Sequence, residues 1–204
     1  MRVLVIHCHP LAGSYSAALR DRAMQTLRAG GHEVALIDLY AEGFDPVLSA
    51  SERASYLEAP DKNVAGVQRH VDLLLWAQGL LFVFPTWFYG PPAMLKGWLE
   101  RTWLPGVAFT VPQRKGRRAA GAMQHIHWMG CITTSGSPWW WLKLIGDPGR
   151  KLFVRGLRAL FAARCKVLWL QLFSMNNATD RDRERFLGRV NRSLAALPST
   201  AVVK

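Results

Sequence analysis

Three short segments of this 204-residue chain combine residue types that could hold a ligand. In Pro85-Thr86-Trp87-Phe88-Tyr89-Gly90, three successive aromatics follow the uncharged apolar run Gly79–Phe84. Aromatics placed just past a strand end are poor material for a core, and they offer a floor to a flat ligand; a hydrophobic turn that packs a core is the plainer alternative. In His9-Pro10 and Gly13-Ser14-Tyr15-Ser16, hydroxyls and unpaired N–H groups gather ahead of a helical stretch, where an anion is favoured. The plainer alternative there is a serine that only caps the helix. In Thr133-Thr134-Ser135-Gly136-Ser137, small hydrogen-bonding residues close a third apolar segment.

Other chemistries lack their residues. The chain has no Gly-Lys-Ser/Thr phosphate loop and no GxGxxG, which disfavours ATP and a Rossmann dinucleotide. His7 and His9 alternate near a strand end, as do His125 and His127, but no carboxylate or cysteine completes a metal set. No paired carboxylates, Ser-His-Asp set or Cys-His dyad stands at a strand end, so hydrolysis has no candidate.

The elements that must position these segments alternate between strand and helix. Val3–Ile6, Glu33–Leu39, Gly79–Phe84, His125–Thr134 and Lys166–Leu172 read as strands. The third is expected to end at Pro85, because proline has no N–H for the ladder. Helices are expected over Ser16–Ala29, Ser49–Leu57, Val64–Trp76, Pro91–Trp103, Arg150–Arg164 and Asp180–Leu197, with apolar residues at helical spacing. This pattern predicts an α/β fold, a doubly wound five-stranded parallel sheet ordered 2-1-3-4-5, in a single domain over residues 1–204. The loops after strands one, three and four converge on one edge of such a sheet, which would make the three segments one site.

Pro85-Thr86-Trp87-Phe88-Tyr89-Gly90, Pro92-Ala93 and Leu95-Lys96-Gly97-Trp98 resemble the NAD(P)H:quinone oxidoreductases of the flavodoxin-like fold. The resemblance is clearest over residues 1–175 and implies a flavin, FAD or FMN, with NAD(P)H as reductant. It places His9, Ser14, Tyr15 and Ser16 at the flavin phosphate and Pro85, Thr86, Trp87, Phe88 and Tyr89 against the ring. Thr133, Thr134, Ser135 and Gly136 would meet its pyrimidine edge, where donors stabilise developing negative charge. Relatives carry Thr-Thr-Gly-Gly there, so Ser135 is a mild change unless its position needs positive φ. Tyr89, Phe109, Thr110 and Trp139 would line the substrate pocket. The activity implied is NAD(P)H dehydrogenase (quinone), a ping-pong passage of two electrons to a quinone or similar small-molecule acceptor. A homodimer is implied as well. The alternative from another class is a flavin-binding ancillary subunit of a membrane transporter.

One departure from the family is marked. Better-known relatives place a tyrosine, then a histidine before a Gly-Asp pair, beside the flavin. Here Trp139-Trp140-Trp141 stands near the tyrosine's place and Ile145 precedes Gly146-Asp147. The tryptophans are read either as an apolar pocket or as a surface for a partner or lipid. The net charge of +12 gathers in Arg114–Arg118 and in Arg150–Arg164, which fits solvated surface or peripheral contact with an anionic membrane. Nucleic acid is not expected, since no binding motif accompanies the charge. Cys8, Cys131 and Cys165 are expected to be buried, reduced thiols. Met1-Arg2-Val3 enters a strand directly, so the chain is expected in the cytoplasm, with the inner membrane face as a further place for it. Ser199–Lys204 is expected to be a loose tail.

Overall fold

A computed structural model describes residues 1–112 and 118–198. Most of the basic Arg114–Arg118 cluster and the expected tail Ser199–Lys204 lie outside the described residues. The chain runs β1 (Arg2–His7), α1 (Tyr15–Ala29), β2 (Glu33–Asp38), α2 (Ala50–Ser55), α3 (Pro60–Ala65), α4 (Gln68–Trp76), β3 (Gly79–Thr86) and α5 (Ala93–Thr102). It continues with β4 (Phe109–Thr110), β5 (Ala120–Gly121), β6 (Trp128–Ser135), α6 (Trp139–Leu144) and α7 (Pro148–Lys151). A π-helical turn and a 3-10 turn follow, then β7 (Lys166–Leu172), a 3-10 turn at Met175–Asn177, and α8 (Asp180–Ala195).

Five strands pair in parallel in the order β2-β1-β3-β6-β7, which is the order expected from the sequence. Helices cover both faces, and so β3 and β6 can be apolar without alternation. On one face Val3, Val5, Leu81, Val83 and Ile132 meet Leu19, Ala23 and Leu27 of α1 and Phe186, Val190 and Leu194 of α8. On the other, Leu4, Ile6, Phe82 and Phe84 meet Val71 and Leu74 of α4, Leu95 and Trp98 of α5, and Phe153. The three cysteines are buried and free. Burial pushes the Cys8 thiol up to about 12 and the Cys165 thiol up to about 11.

Four expectations need correction. Pro85 does not end its strand: it pairs with Thr134, and β3 runs on to Thr86. The Val83 carbonyl accepts from the Cys8 N–H at 3.0 Å, so the backbone groups of Val83, and of Pro85 two residues later, face β1. Pairing with β1 stops at His7–Val83, so the missing N–H of Pro85 has no partner to lose. The helix expected over Val64–Trp76 is instead α3 and α4, and Pro60 at the start of α3 sets an earlier beginning. His125 and His127 precede β6 instead of lying in it; the His127 N–H bonds the Gln78 carbonyl and its carbonyl accepts from the Lys166 N–H, just ahead of the strand. The helix expected over Arg150–Arg164 is broken into α7, the π turn Leu152–Gly156 and the 3-10 turn Leu157–Leu160. Phe153 is locked between Phe82 and Phe84, each 5.1 Å away, and Leu160 lies against Gly121, so packing overrides one uniform period.

The approach of α5 to the rest of the fold depends on Gly97. A Cβ there would come within 2.1 Å of the Pro46 carbonyl oxygen and 2.5 Å of Pro46 Cβ. Gly97→Ala should therefore lower the unfolding free energy by about 2 kcal/mol or more, despite alanine's better helix propensity. Urea denaturation measures it, and an unchanged midpoint would contradict this contact.

Candidate functional site

The three segments meet in a cavity of about 620 Å³ at the carboxyl ends of β1, β3 and β6. Its lining is His9, Tyr15, Ser16, Pro85, Thr86, Trp87, Phe88, Tyr89, Thr134, Ser135, Gly136, Ser137, Met175 and Asn176. That volume suits a small molecule or cofactor.

The first wall is the start of α1. Ser14 caps this 15-residue helix, its side chain accepting from the Ala17 N–H at 3.2 Å, and it stands outside the lining. Ser16 is different: its hydroxyl is buried and finds no hydrogen-bond partner. A buried hydroxyl left without a partner is costly unless a ligand completes it. Tyr15 lines the cavity while its hydroxyl donates to the Arg183 carbonyl of α8 at 2.7 Å, and burial pushes its pKa up to about 12. His9 Nδ1 accepts from the Leu11 N–H at 3.0 Å, and its ring lies 6.2 Å from that of Trp87.

The second wall is a tight turn. The N–H of Trp87 donates to the Gly90 carbonyl and the N–H of Gly90 to the Trp87 carbonyl, both at 3.0 Å. Between them Phe88 and Tyr89 hold φ of 45° and 66°, the left-handed pair of a type I′ turn, which favours Asn and Gly. Two bulky aromatics there are strained, and the turn is braced from outside. Trp141 Nε1 donates to the Tyr89 hydroxyl at 3.1 Å. Gly149, at the start of α7, lies so close that a Cβ would sit 2.6 Å from the Tyr89 carbonyl oxygen.

The third wall follows β6. Thr133 is fully buried and outside the lining; its hydroxyl meets that of Thr86 at 2.9 Å and ties β6 to β3. The Ser135 hydroxyl is engaged with Ser137, donating to its carbonyl at 3.2 Å and accepting from its N–H at 3.1 Å. Ser135 lies in extended strand, without positive φ, so serine in place of glycine costs no strain. Met175 and Asn176, which sequence reasoning missed, complete this wall from the turn after β7. The Ser174 N–H donates to the Ser137 carbonyl at 3.1 Å and ties the two loops. The Asn176 amide lies over Gly136, where a Cβ would come within 3.2 Å. Their position at a strand's carboxyl end was the available signal.

Three expected pocket residues are not brought to the cavity of this chain. Phe109 and Thr110 form β4, and β4 pairs with β5 beyond the sheet; Phe109 packs on the core and Thr110 faces solvent. Trp139 starts α6 and is exposed. Ile145 ends α6, half-buried and also outside the lining. Among the described residues no group of three or more His, Cys, Asp or Glu could hold a metal ion.

Beneath the first wall, His7 Nδ1 lies 3.0 Å from Asp38 Oδ2, and Arg20 Nη1 donates to the same oxygen at 2.7 Å. Burial lowers the His7 pKa, and the Asp38 hydrogen bond only partly opposes it. Burial alone would raise Asp38, but the bonds from His7 and the Ala41 N–H, with the charges of His7 and Arg20, lower it overall.

With this geometry in view, the profile of the flavodoxin-like fold family matches residues 1–194. The chain belongs to that family. It is 31% identical over 154 residues to NAD(P)H dehydrogenase [quinone] 1 of Cavia porcellus, covering 67% of this chain and 54% of that protein. The chain thus spans about half the length of such curated relatives. A solved structure from Streptococcus mutans UA159, Smu.1420, superposes with a TM-score of 0.80 at 27% identity, covering 97% of this chain and all of that one (100%). The NAD(P)H:quinone oxidoreductase from Methanothermobacter marburgensis gives 0.75 at 25% identity, covering 96% and 94%.

Two outcomes test this site. Phe88 is fully exposed, so Phe88→Gly loses no packing and releases the left-handed strain. It should raise the unfolding free energy by about 1 kcal/mol, after glycine's extra unfolded-state entropy is counted; a loss of stability in urea denaturation would show the turn to be unstrained. The second outcome concerns acid. Burial lowers His7, His32 and His70, so the unfolded chain binds more protons as pH falls below the ordinary histidine range, and stability drops. Asp38 contributes stability above the ordinary carboxylate pKa, lost as pH falls through its lower folded value. Unfolding free energy should fall from pH 7 to about 5 and again below about 4. His7→Gln should shallow the first fall and Asp38→Asn the second; a flat profile from 7 to 5 would contradict the assignment.

Proposed function

We propose that the chain is a flavin-dependent NAD(P)H dehydrogenase that passes two electrons to a quinone or similar small acceptor. The observation that carries this reading is the buried, unpartnered Ser16 hydroxyl at the N-terminus of α1, in a residue that lines a cavity with an aromatic floor. The quinone reductases among the relatives support the acceptor class. A bound flavin, FMN or FAD, would supply the hydride chemistry that none of the lining side chains can perform.

Each wall then has a task. Ser16 and the first N–H groups of α1 hold the phosphate, where the helix dipole favours negative charge. Trp87, Phe88 and Tyr89 present a rigid aromatic floor, held open by the Trp141–Tyr89 bond from α6 and the close approach of Gly149 in α7. Because the Ser135 and Thr133 hydroxyls are already engaged, charge developing at the third wall rests on backbone N–H groups around Ser135 and Gly136. Reductant and acceptor take turns in one cavity, which is the spatial requirement of a ping-pong cycle. A homodimer belongs to the same reading, as the family resemblance implies.

The test begins with the mass of the cofactor extracted from purified protein, which separates FMN from FAD. Ser16→Asp should then weaken flavin binding about a hundredfold, because a carboxylate would meet the phosphate in a partly desolvated site. Fluorescence titration of the stripped protein measures it. Equal affinity for both proteins would remove the first wall from the phosphate site, and NAD(P)H with a soluble quinone and no turnover by the loaded parent would sink the activity.

A further inference from the structure

Two buried polar atoms at and beneath the first wall lack partners. One is the Ser16 hydroxyl, in the cavity lining; the other is Nε2 of His7, a residue outside that lining. Ser16 is 5% exposed and His7 1%. His7 ends β1, and its ring meets α1 through Arg20, whose Nη1 lies 3.4 Å from His7 Nδ1. Arg20 stands one turn after Ser16 on the same helix. The two orphaned atoms therefore belong to elements already in contact.

The tautomer of His7 follows from its neighbours. Asp38 Oδ2 accepts from Arg20 Nη1 at 2.7 Å, much closer than that nitrogen comes to the imidazole. Arg20 thus donates to the carboxylate, and His7 Nδ1 carries its own proton and donates to the same oxygen at 3.0 Å. Nε2 is then a lone pair buried without a donor, which is costly. Burial lowers the His7 pKa and keeps the ring neutral in the empty protein; Asp38 opposes this, and the charges of Arg20 and His9 add to it. These are the charged and titratable groups that bear on His7, with Arg20 also shared by Asp21; Val83, the neighbour on β3, is apolar.

A phosphate at the N-terminus of α1 changes that balance, because its negative charge favours an imidazolium. We propose that phosphate binding at this wall is coupled to the uptake of a proton by His7 Nε2, which makes His7 a positioning residue for the anion. The proton comes from solvent and joins the free lone pair, while the Nδ1 proton stays on its bond to Asp38. The resulting cation is balanced by the Asp38 carboxylate and attracts the phosphate from beneath the lining. Since the bound state holds the extra proton, affinity falls as pH rises. The inference rests on the flavin-phosphate reading of the proposed function and adds a proton to it.

The experiment is calorimetric titration of the stripped full chain with FMN at about pH 7.5, in buffers of different ionisation enthalpy, which counts the protons taken up. About half a proton or more should enter with FMN, and about none with riboflavin, which lacks the phosphate. The affinity for FMN should fall about fivefold from about pH 7 to 8.5 in the parent, and less than about twofold in His7→Gln. His9→Gln should keep the uptake. Nitrogen NMR of the stripped and FMN-loaded parent reads the His7 ring without any variant: it should be the neutral Nδ1–H tautomer when stripped and gain imidazolium character when loaded. FMN bound without uptake, or with the same uptake as riboflavin, overturns the inference and leaves the proposed function standing. Uptake that survives His7→Gln and vanishes with His9→Gln overturns it too, by moving the proton to His9. No binding of FMN at all would sink the proposed function, and the inference with it.

Discussion

The whole site depends on an unequal ending of neighbouring strands. β1 pairs with β3 as far as His7–Val83, but β3 and β6 stay paired through Phe84–Thr133, Pro85–Thr134 and Thr86–Ser135. The chain leaving β1 must therefore turn away while the sheet beside it continues, and this opens a notch at the carboxyl edge. Pro85 fits the notch because the ladder asks nothing of its nitrogen on that side. The Thr86–Thr133 hydroxyl bond replaces the β1 support that the extended strands lack. His9, α1 and the aromatic turn then surround a space that the sheet topology has already made.

What fills the notch is held in advance of any ligand. Phe88 and Tyr89 keep left-handed backbones that cost free energy, and they are kept there by the Trp141 bond and by the close approach of Gly149. The Ser16 hydroxyl keeps its lone pairs and proton without a partner. Strain and an unsatisfied polar group in one cavity are what a fold tolerates where binding will compensate for them, and neither feature helps the empty protein.

The order of the five strands was readable in the chain because buried parallel strands leave long apolar runs, and Val3–Ile6 and Gly79–Phe84 are such runs. The aromatic turn was readable for the opposite reason: Trp87, Phe88 and Tyr89 make no sense as core. Met175 and Asn176 were not, since neither belongs to a pattern, and only the tie between Ser174 and Ser137 brings their turn to the cavity. Ser14 has the composition of an anion loop and the geometry of an N-cap, the plainer of the two readings that its residue type allowed. The 148–160 segment misled because its apolar residues keep a helical period on average. Phe153, between Phe82 and Phe84, fixes one end of that segment and Leu160, against Gly121, fixes the other, and the backbone between them passes through three helical forms.

The distribution of charge follows from the same architecture. Among the described residues the cavity lining holds no Asp, Glu, Lys or Arg, although the chain carries a net charge of +12. Beneath the first wall, Arg20 and Asp38 are paired with each other and with His7, and Arg20 also with Asp21. Besides the His9 ring, an anion in this cavity would be held by the N-terminal dipole of α1, by neutral hydroxyls and by backbone N–H groups. The hydroxyl and N–H donors do not titrate near neutrality, and they need not reorganise when charge on a ligand changes. The cationic surplus is left to outer surfaces, where it can act on partners without disturbing the electrostatics of the site.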